Sequence, residues 1–245
     1  MAVRSVLQTI AKPATWALGL DRLDSFATIF RQCRCILTVP REFLESSSAK
    51  LVNPRQNMIN SDTVSLSFPA STFRGLSDEK LLALFTKGFF GGWVFYLQSL
   101  LLKAGAWKII PVKFTGFRDN SQQRDIWSQS DIPETTLLPV GDTLYRCFKV
   151  IDVHLASASN PYPSYVDFGY GQDQSVFTGC HRFRIVRSGT ANELGEENIE
   201  FNLEGFRCNP RENIPSAAEI FAWFHVLYAE LLFARSVQAC LQRRL

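Results

Sequence analysis

Three histidines, at positions 154, 181 and 225, are the residues of this 245-residue chain best suited to moving a proton near neutral pH. His181 falls in an alternating run, Phe177, Gly179, His181, Phe183, Ile185, whose members share one face of a β-strand. If that face lines a cavity, His181 is a general acid or base, and Phe183 is part of the wall. The plain alternative is a core histidine satisfied by one hydrogen bond. Asp167 and Tyr165 lie on one strand face with Gly169 and Gly171. A carboxylate flanked by glycines can meet a ligand closely, which makes Asp167 the second catalytic candidate and Tyr165 a binding one. Equally, the glycines can mark a bulge that bends the sheet. Lys149, between Cys147 and Ile151, forms a Schiff base if desolvated and is otherwise an ordinary exposed lysine. Arg235 sits in the middle of a helical apolar stripe with Phe224, Tyr228 and Leu231. A guanidinium there anchors a ligand anion, pairs with Asp167 or Asp152, or snorkels near the helix end. His225, at the edge of that stripe, is a lesser candidate.

The standard cofactor and metal signatures are missing. There is no Gly-x-Gly-x-x-Gly, no Walker loop, no Gly-x-Ser-x-Gly and no His-x-x-x-His, so no cofactor and no metal is expected. The six cysteines form no Cys-x-x-Cys pair and read as reduced thiols of a cytoplasmic protein. The net charge of +3 is scattered rather than gathered in a stripe, which argues against a nucleic-acid partner. No apolar run reaches the roughly 20 residues of a transmembrane helix. Residues 1–20 hold Arg4 and Lys12 and no acid, a pattern compatible with a mitochondrial presequence.

The elements that must position these side chains follow from periodicity. Leu23, Phe26, Ala27 and Phe30 mark a helix face with Asp21 near its start, and Ser46 to Asp62 is polar loop. Residues 1–62 are thus expected to form an N-terminal helical and irregular appendage, with the main domain at 63–245. Its first strand is Thr63–Phe68. A helix capped by Ser77 follows, with Gly88 at its C-terminal end. Gly91-Gly92 breaks the run, and Trp93–Lys103, apolar nearly all round, is expected to be a buried helix. Strands are expected at Trp107–Phe114, Leu144–Leu155, Tyr165–Tyr170, Val176–Val186 and Asn198–Phe206. The long segment Gly116–Asp142 is either a lid, closing through Ile126-Trp127 and Leu137-Leu138, or a disordered excursion. Ser216 and Glu219 form a capping box for a last helix running to about Arg243.

Strand, two helices, antiparallel strands and a long C-terminal helix is an order that resembles the helix-grip fold of START-like and birch-pollen-allergen-like proteins. The resemblance covers residues 63–245 and implies an α+β domain, a curved antiparallel sheet around the last helix with a cavity between them. The block Tyr165-Val166-Asp167-Phe168-Gly169-Tyr170-Gly171, followed by His181-Arg182-Phe183-Arg184-Ile185, also resembles a family of uncharacterised proteins common in filamentous fungi. That likeness implies a setting in secondary metabolism and no catalytic residue.

The 20 Phe residues are then the wall of a cavity that takes an apolar polycyclic or isoprenoid-like small molecule. Phe201, Phe224 and Tyr228 join Phe183 in that lining. Cofactor-free acid–base chemistry fits best: cyclisation, isomerisation or dehydration, with His181 transferring the proton. Two alternatives remain open, a non-catalytic lipid or small-molecule carrier, and an interaction protein whose core is filled by its own Phe side chains. Oligomeric state is not legible at this level.

Overall fold

The computed structural model describes residues 25–108, 111–118, 122–188, 197–215 and 222–243, with backbone alone for residues 222 and 223. Helix α1 (Phe26–Gln32) and the short strand β1 (Arg34–Ile36) lead into two small helices, α2 (Arg41–Leu44) and α3 (Ser47–Val52). The Ser46 hydroxyl caps α3 by accepting from the Ala49 N–H at 3.2 Å. Strand β2 (Ile59–Pro69) precedes the helices α4 (Asp78–Gly91) and α5 (Trp93–Lys103). Then come β3 (Asp125–Ile126), β4 (Thr143–Leu144), β5 (Phe148–His154), β6 (Ser164–Gly171), β7 (Thr178–Ser188) and β8 (Asn198–Cys208). Helix α6 (Ala222–Gln242) closes the chain. Leu23, Asp21 and the Ser216–Glu219 capping box lie outside the described residues.

The eight strands form one α+β sheet in the order β1-β2-β8-β7-β6-β5-β4-β3, antiparallel except for β3 beside β4. The first long strand pairs with the last along its whole length, from Ile59 opposite Cys208 to Pro69 opposite Asn198. That pairing leaves α4 and α5 as an excursion that returns over one face of the sheet, where α6 also packs. A bulge between Val150 and Asp152 shifts β5 against β6.

Alternation assigns the faces. Val64, Val166, Phe183 and Leu203 point inward to a core shared with Leu81, Phe85 and Phe233. The opposite face is buried as well. Phe43 of α2, Ala49 and Val52 of α3, and Phe114 pack on Ile151, Cys180 and Phe206. A segment expected to be an appendage therefore closes the outer face, which two-sided apolar strands require.

Several expectations change. Leu144–Leu155 is not one strand: Tyr145 and Arg146 both take positive φ, 53° and 55°, and turn the chain between β4 and β5. Where a strand is expected at Trp107–Phe114, the described residues form a short 3-10 turn, Ala106–Lys108, and a bridge from Lys113 to Gln172, and residues 109 and 110 lie outside them. Ser77 caps α4 as expected, accepting from the Lys80 N–H at 3.2 Å. Gly88 does not end that helix. It lies inside it, where a Cβ would stand 2.7 Å from the Ser236 Cα, so it lets α4 and α6 touch. Helix α5 is not buried all round: Phe95, Ser99 and Leu102 are, and the opposite stripe faces solvent. In the segment 116–142, Ile126, Ile132 and Leu138 are in the core, and residues 119–121 lie outside the described residues. Among the described residues no helix is long and apolar enough to cross a membrane.

Candidate functional site

A cavity of about 310 Å³ opens between the sheet, α5 and the first half of α6. It is in the size range of small-molecule sites. Its wall includes Phe89 from α4, Phe95 and Leu102 from α5, Phe148 and Phe177 from the sheet side, and Leu232 from α6. Gln98, Tyr170, His181, His225 and Tyr228 bring polar atoms to this surface. The Tyr228 hydroxyl donates to Gln98 Oε1 at 2.8 Å, tying α6 to α5, and burial pushes its pKa up to about 12.

The histidines form a polar end. Register places Asp62, Gly205 and His181 side by side across β2, β8 and β7, all on the inner face. Gly205 is small enough to admit the imidazole, since a Cβ there would lie 3.1 Å from His181 Nδ1. The His181 ring packs 4.8 Å from the Tyr170 ring and 6.4 Å from the nearly parallel His225 ring. Burial, reinforced by His225, lowers the His181 pKa to about 3, so the ring is neutral at physiological pH. Its Nδ1 has no hydrogen-bond partner among the described residues. Asp62 Oδ1 lies 3.5 Å from His225 Nε2 and 3.2 Å from Arg207 Nη1. Burial alone would raise the Asp62 pKa; contact with His225 and the Arg207 charge more than offset this and hold it below the usual carboxylate range. A carboxylate beside an imidazole fixes its orientation. His225 thus has the setting of a proton acceptor, and neutral His181 that of a hydrogen-bonding neighbour.

The other candidates are not gathered here. Asp167 points to the outer face, where it accepts from Arg182 Nε at 2.7 Å and from Nη2 at 2.8 Å. Arg182 is 1% exposed and lies between the rings of Tyr165 and Phe43, its guanidinium carbon 3.9 Å and 4.4 Å from their centroids. Tyr165 donates to Asp152 Oδ2 at 2.9 Å on that same face. Lys149 is buried there too, with Nζ 4.8 Å from the Phe117 ring. Asp167, Tyr165 and Lys149 therefore stand across the sheet from His181. Phe183 and Phe201 are core residues, 5.0 Å and 6.0 Å from the Phe85 ring, behind the cavity wall. Phe224 is exposed and stacks on Tyr228. Arg235 is half-buried at the α4–α5 bend, donating to Gln238 Oε1 at 3.3 Å, and pairs with neither Asp167 nor Asp152. Burial lowers its pKa.

Of the predicted residues, His181 and Tyr228 meet in the cavity, joined by His225. Asp62, Arg207 and Gln98 carry no motif. Asp62 does have one signal: the alternation Val64, Leu66, Phe68 extends back to it, placing an acid on the apolar face of β2. Among the described residues no group of three or more His, Cys, Asp or Glu side chains is arranged to hold a metal ion. No family model, curated protein or solved structure matches this chain.

Proposed function

We propose that this chain is a helix-grip protein that binds an apolar small molecule in the cavity and moves a proton on it at the His225–His181 end. The observation that carries this reading is the cavity itself. About 310 Å³ of space is left open beside a Phe-rich core, with Gln98, His181, His225 and Tyr228 on its wall. A protein whose core were filled by its own side chains would have no such space. The pairing of the first long strand with the last, and a C-terminal helix on the inner face, support the helix-grip reading.

In this reading His225, oriented by Asp62, accepts a proton from the ligand and returns it at a second position. Neutral His181 hydrogen-bonds the oxygen on which charge develops. Isomerisation, cyclisation and dehydration all need only these two acts, and no cofactor. A carrier would need the cavity but not the Asp62–His225–His181 array, which is why the catalytic reading is preferred. Five of the six cysteines are buried, and Cys180, Cys208 and Cys240 are free thiols, which suits a reducing compartment such as the cytoplasm.

Native mass spectrometry of the full chain purified from its own host tests the binding step. A stoichiometric apolar ligand is the expected result. A bare chain that also takes up no neutral apolar probe would overturn the reading. Asp62→Asn and His225→Ala then separate enzyme from carrier: both should abolish turnover of the identified ligand while leaving its affinity within a few-fold.

A further inference from the structure

Helix α5 divides two surfaces. Phe95, Gln98 and Leu102 face the cavity. On the other side Trp93, Tyr96, Leu97, Leu100 and Leu101 are 63%, 61%, 69%, 43% and 57% exposed. These positions recur at the spacing of one helix face, the pattern a protein normally turns inward. Phe224 of α6, stacked on Tyr228, continues the exposed surface toward the cavity wall. Five large apolar side chains in contiguous helical positions are more than scattered surface hydrophobes, and a patch of this kind marks a contact surface.

The charge around the patch says what it contacts. Within α5 and the turn that follows it, Trp93–Lys108, the only charged residues are Lys103 and Lys108. Lys103 and Lys108, at the C-terminal end of α5, are exposed beside Trp107. Trp, Tyr and Leu on one face with lysines at the rim is the composition of a helix that lies in a lipid headgroup layer. We propose that α5 docks the protein on an anionic bilayer surface, so that the cavity behind it exchanges its apolar ligand with the membrane. This rests on the cavity being a ligand site. Residues 1–24, outside the described part of the chain, carry Arg4, Lys12 and Arg22 against Asp21 and Asp24, a net charge of +1, and so bring no net negative charge to the lysines.

The test is flotation of the full chain with vesicles of phosphatidylcholine, alone or mixed with phosphatidylserine, at low and high salt. The wild type should float with the mixed vesicles and far less with phosphatidylcholine or at high salt. Leu97→Glu/Leu101→Glu and Lys103→Glu/Lys108→Glu should each weaken partitioning by at least roughly tenfold. Both pairs change exposed positions, so if the first perturbs folding by circular dichroism the second still decides. Failure of the wild type to float, or undiminished flotation of the folded variants, would overturn the proposal. So would a wild-type dimer that Leu97→Glu/Leu101→Glu converts to monomer. Uptake of N-phenylnaphthylamine without vesicles reads the cavity separately. It should survive both pairs and be lost in Ala229→Phe, which fills the cavity and leaves flotation intact. Uptake without flotation sinks the docking alone. Flotation without any uptake that Ala229→Phe removes sinks the cavity reading, and with it the exchange.

Discussion

Removing the Asp167 carboxylate tests whether that residue serves the fold or the site. Asp167→Ala leaves the Arg182 guanidinium, 1% exposed, without its two acceptors at 2.7 and 2.8 Å. Breaking a buried ion pair by removing one partner costs about 3–5 kcal/mol, because the remaining charge stays desolvated. Arg182 keeps its contacts with the faces of Tyr165 and Phe43, which places the expected loss at the lower end, about 3–4 kcal/mol. For a chain of this size each kcal/mol moves the midpoint by about 2–4 °C, so Tm should fall by roughly 6–16 °C. Urea unfolding followed by circular dichroism at pH 7 measures the loss directly, with an unchanged denaturant slope as the check on two-state behaviour. The double replacement Asp167→Leu/Arg182→Met removes both charges together and should recover most of the stability. A single variant within about 1 kcal/mol of wild type, or a double variant as damaged as the single, would refute the reasoning. Below its lowered midpoint, folded Asp167→Ala should still take up an apolar probe, since Asp167 lies across the sheet from the cavity. Loss of uptake in the folded variant would return Asp167 to the site.

Other perturbations have equally defined outcomes. His181 titrates near 3 when folded against 6.5 when unfolded, so between those values the unfolded chain binds the extra proton and stability falls as pH drops. From pH 7 to pH 5 wild type should lose about 2 kcal/mol more than His181→Phe, and parallel urea curves for the two would show that the ring is not desolvated. Phe183→Ala, at a fully buried ring packed on Phe85, Phe89, Phe90 and Phe168, should cost about 3–5 kcal/mol by thermal or urea unfolding. A loss below about 2 kcal/mol would mean that the aromatic cluster collapses into the gap. Gly179→Ala would put a Cβ 2.3 Å from Tyr170 Oη and 2.5 Å from the Phe206 carbonyl oxygen, which is backbone and cannot retreat. It should destabilise by about 2–3 kcal/mol, with a Tm unchanged from wild type as the contrary result.

Local pattern carried much of the fold. Val64, Leu66 and Phe68 alternating with Ser65 and Ser67 announce β2, and Ile199, Phe201 and Leu203 announce β8, because one buried face imposes a period of two. Ser77 announces the start of α4 because its side chain satisfies an otherwise unpaired N–H. The pattern misled where burial on both faces erased the alternation. Cys180 and Arg182 are as buried as Phe183, since α2 and α3 cover the far side, and no run of β7 residues could say which face held a cavity. It misled again at α5, where an apolar stripe turned to solvent is indistinguishable, in one dimension, from a stripe turned to a core.

The site divides along the same line. That His181 shares a face with Phe183 and Ile185 was settled by the sequence, since side chains along a single strand must alternate. That Asp167 looks away from His181 was settled only by the register of β6 against β7, which pairs it with Arg182 and pairs Phe168 with His181. A shift of one residue would have reversed it. The approach of Asp62, His181 and His225 likewise exists only in the folded chain. It needs β2 to meet β8 at Gly205 and α6 to lie across them, and those long-range pairings are chosen by packing of the whole sheet and its helices.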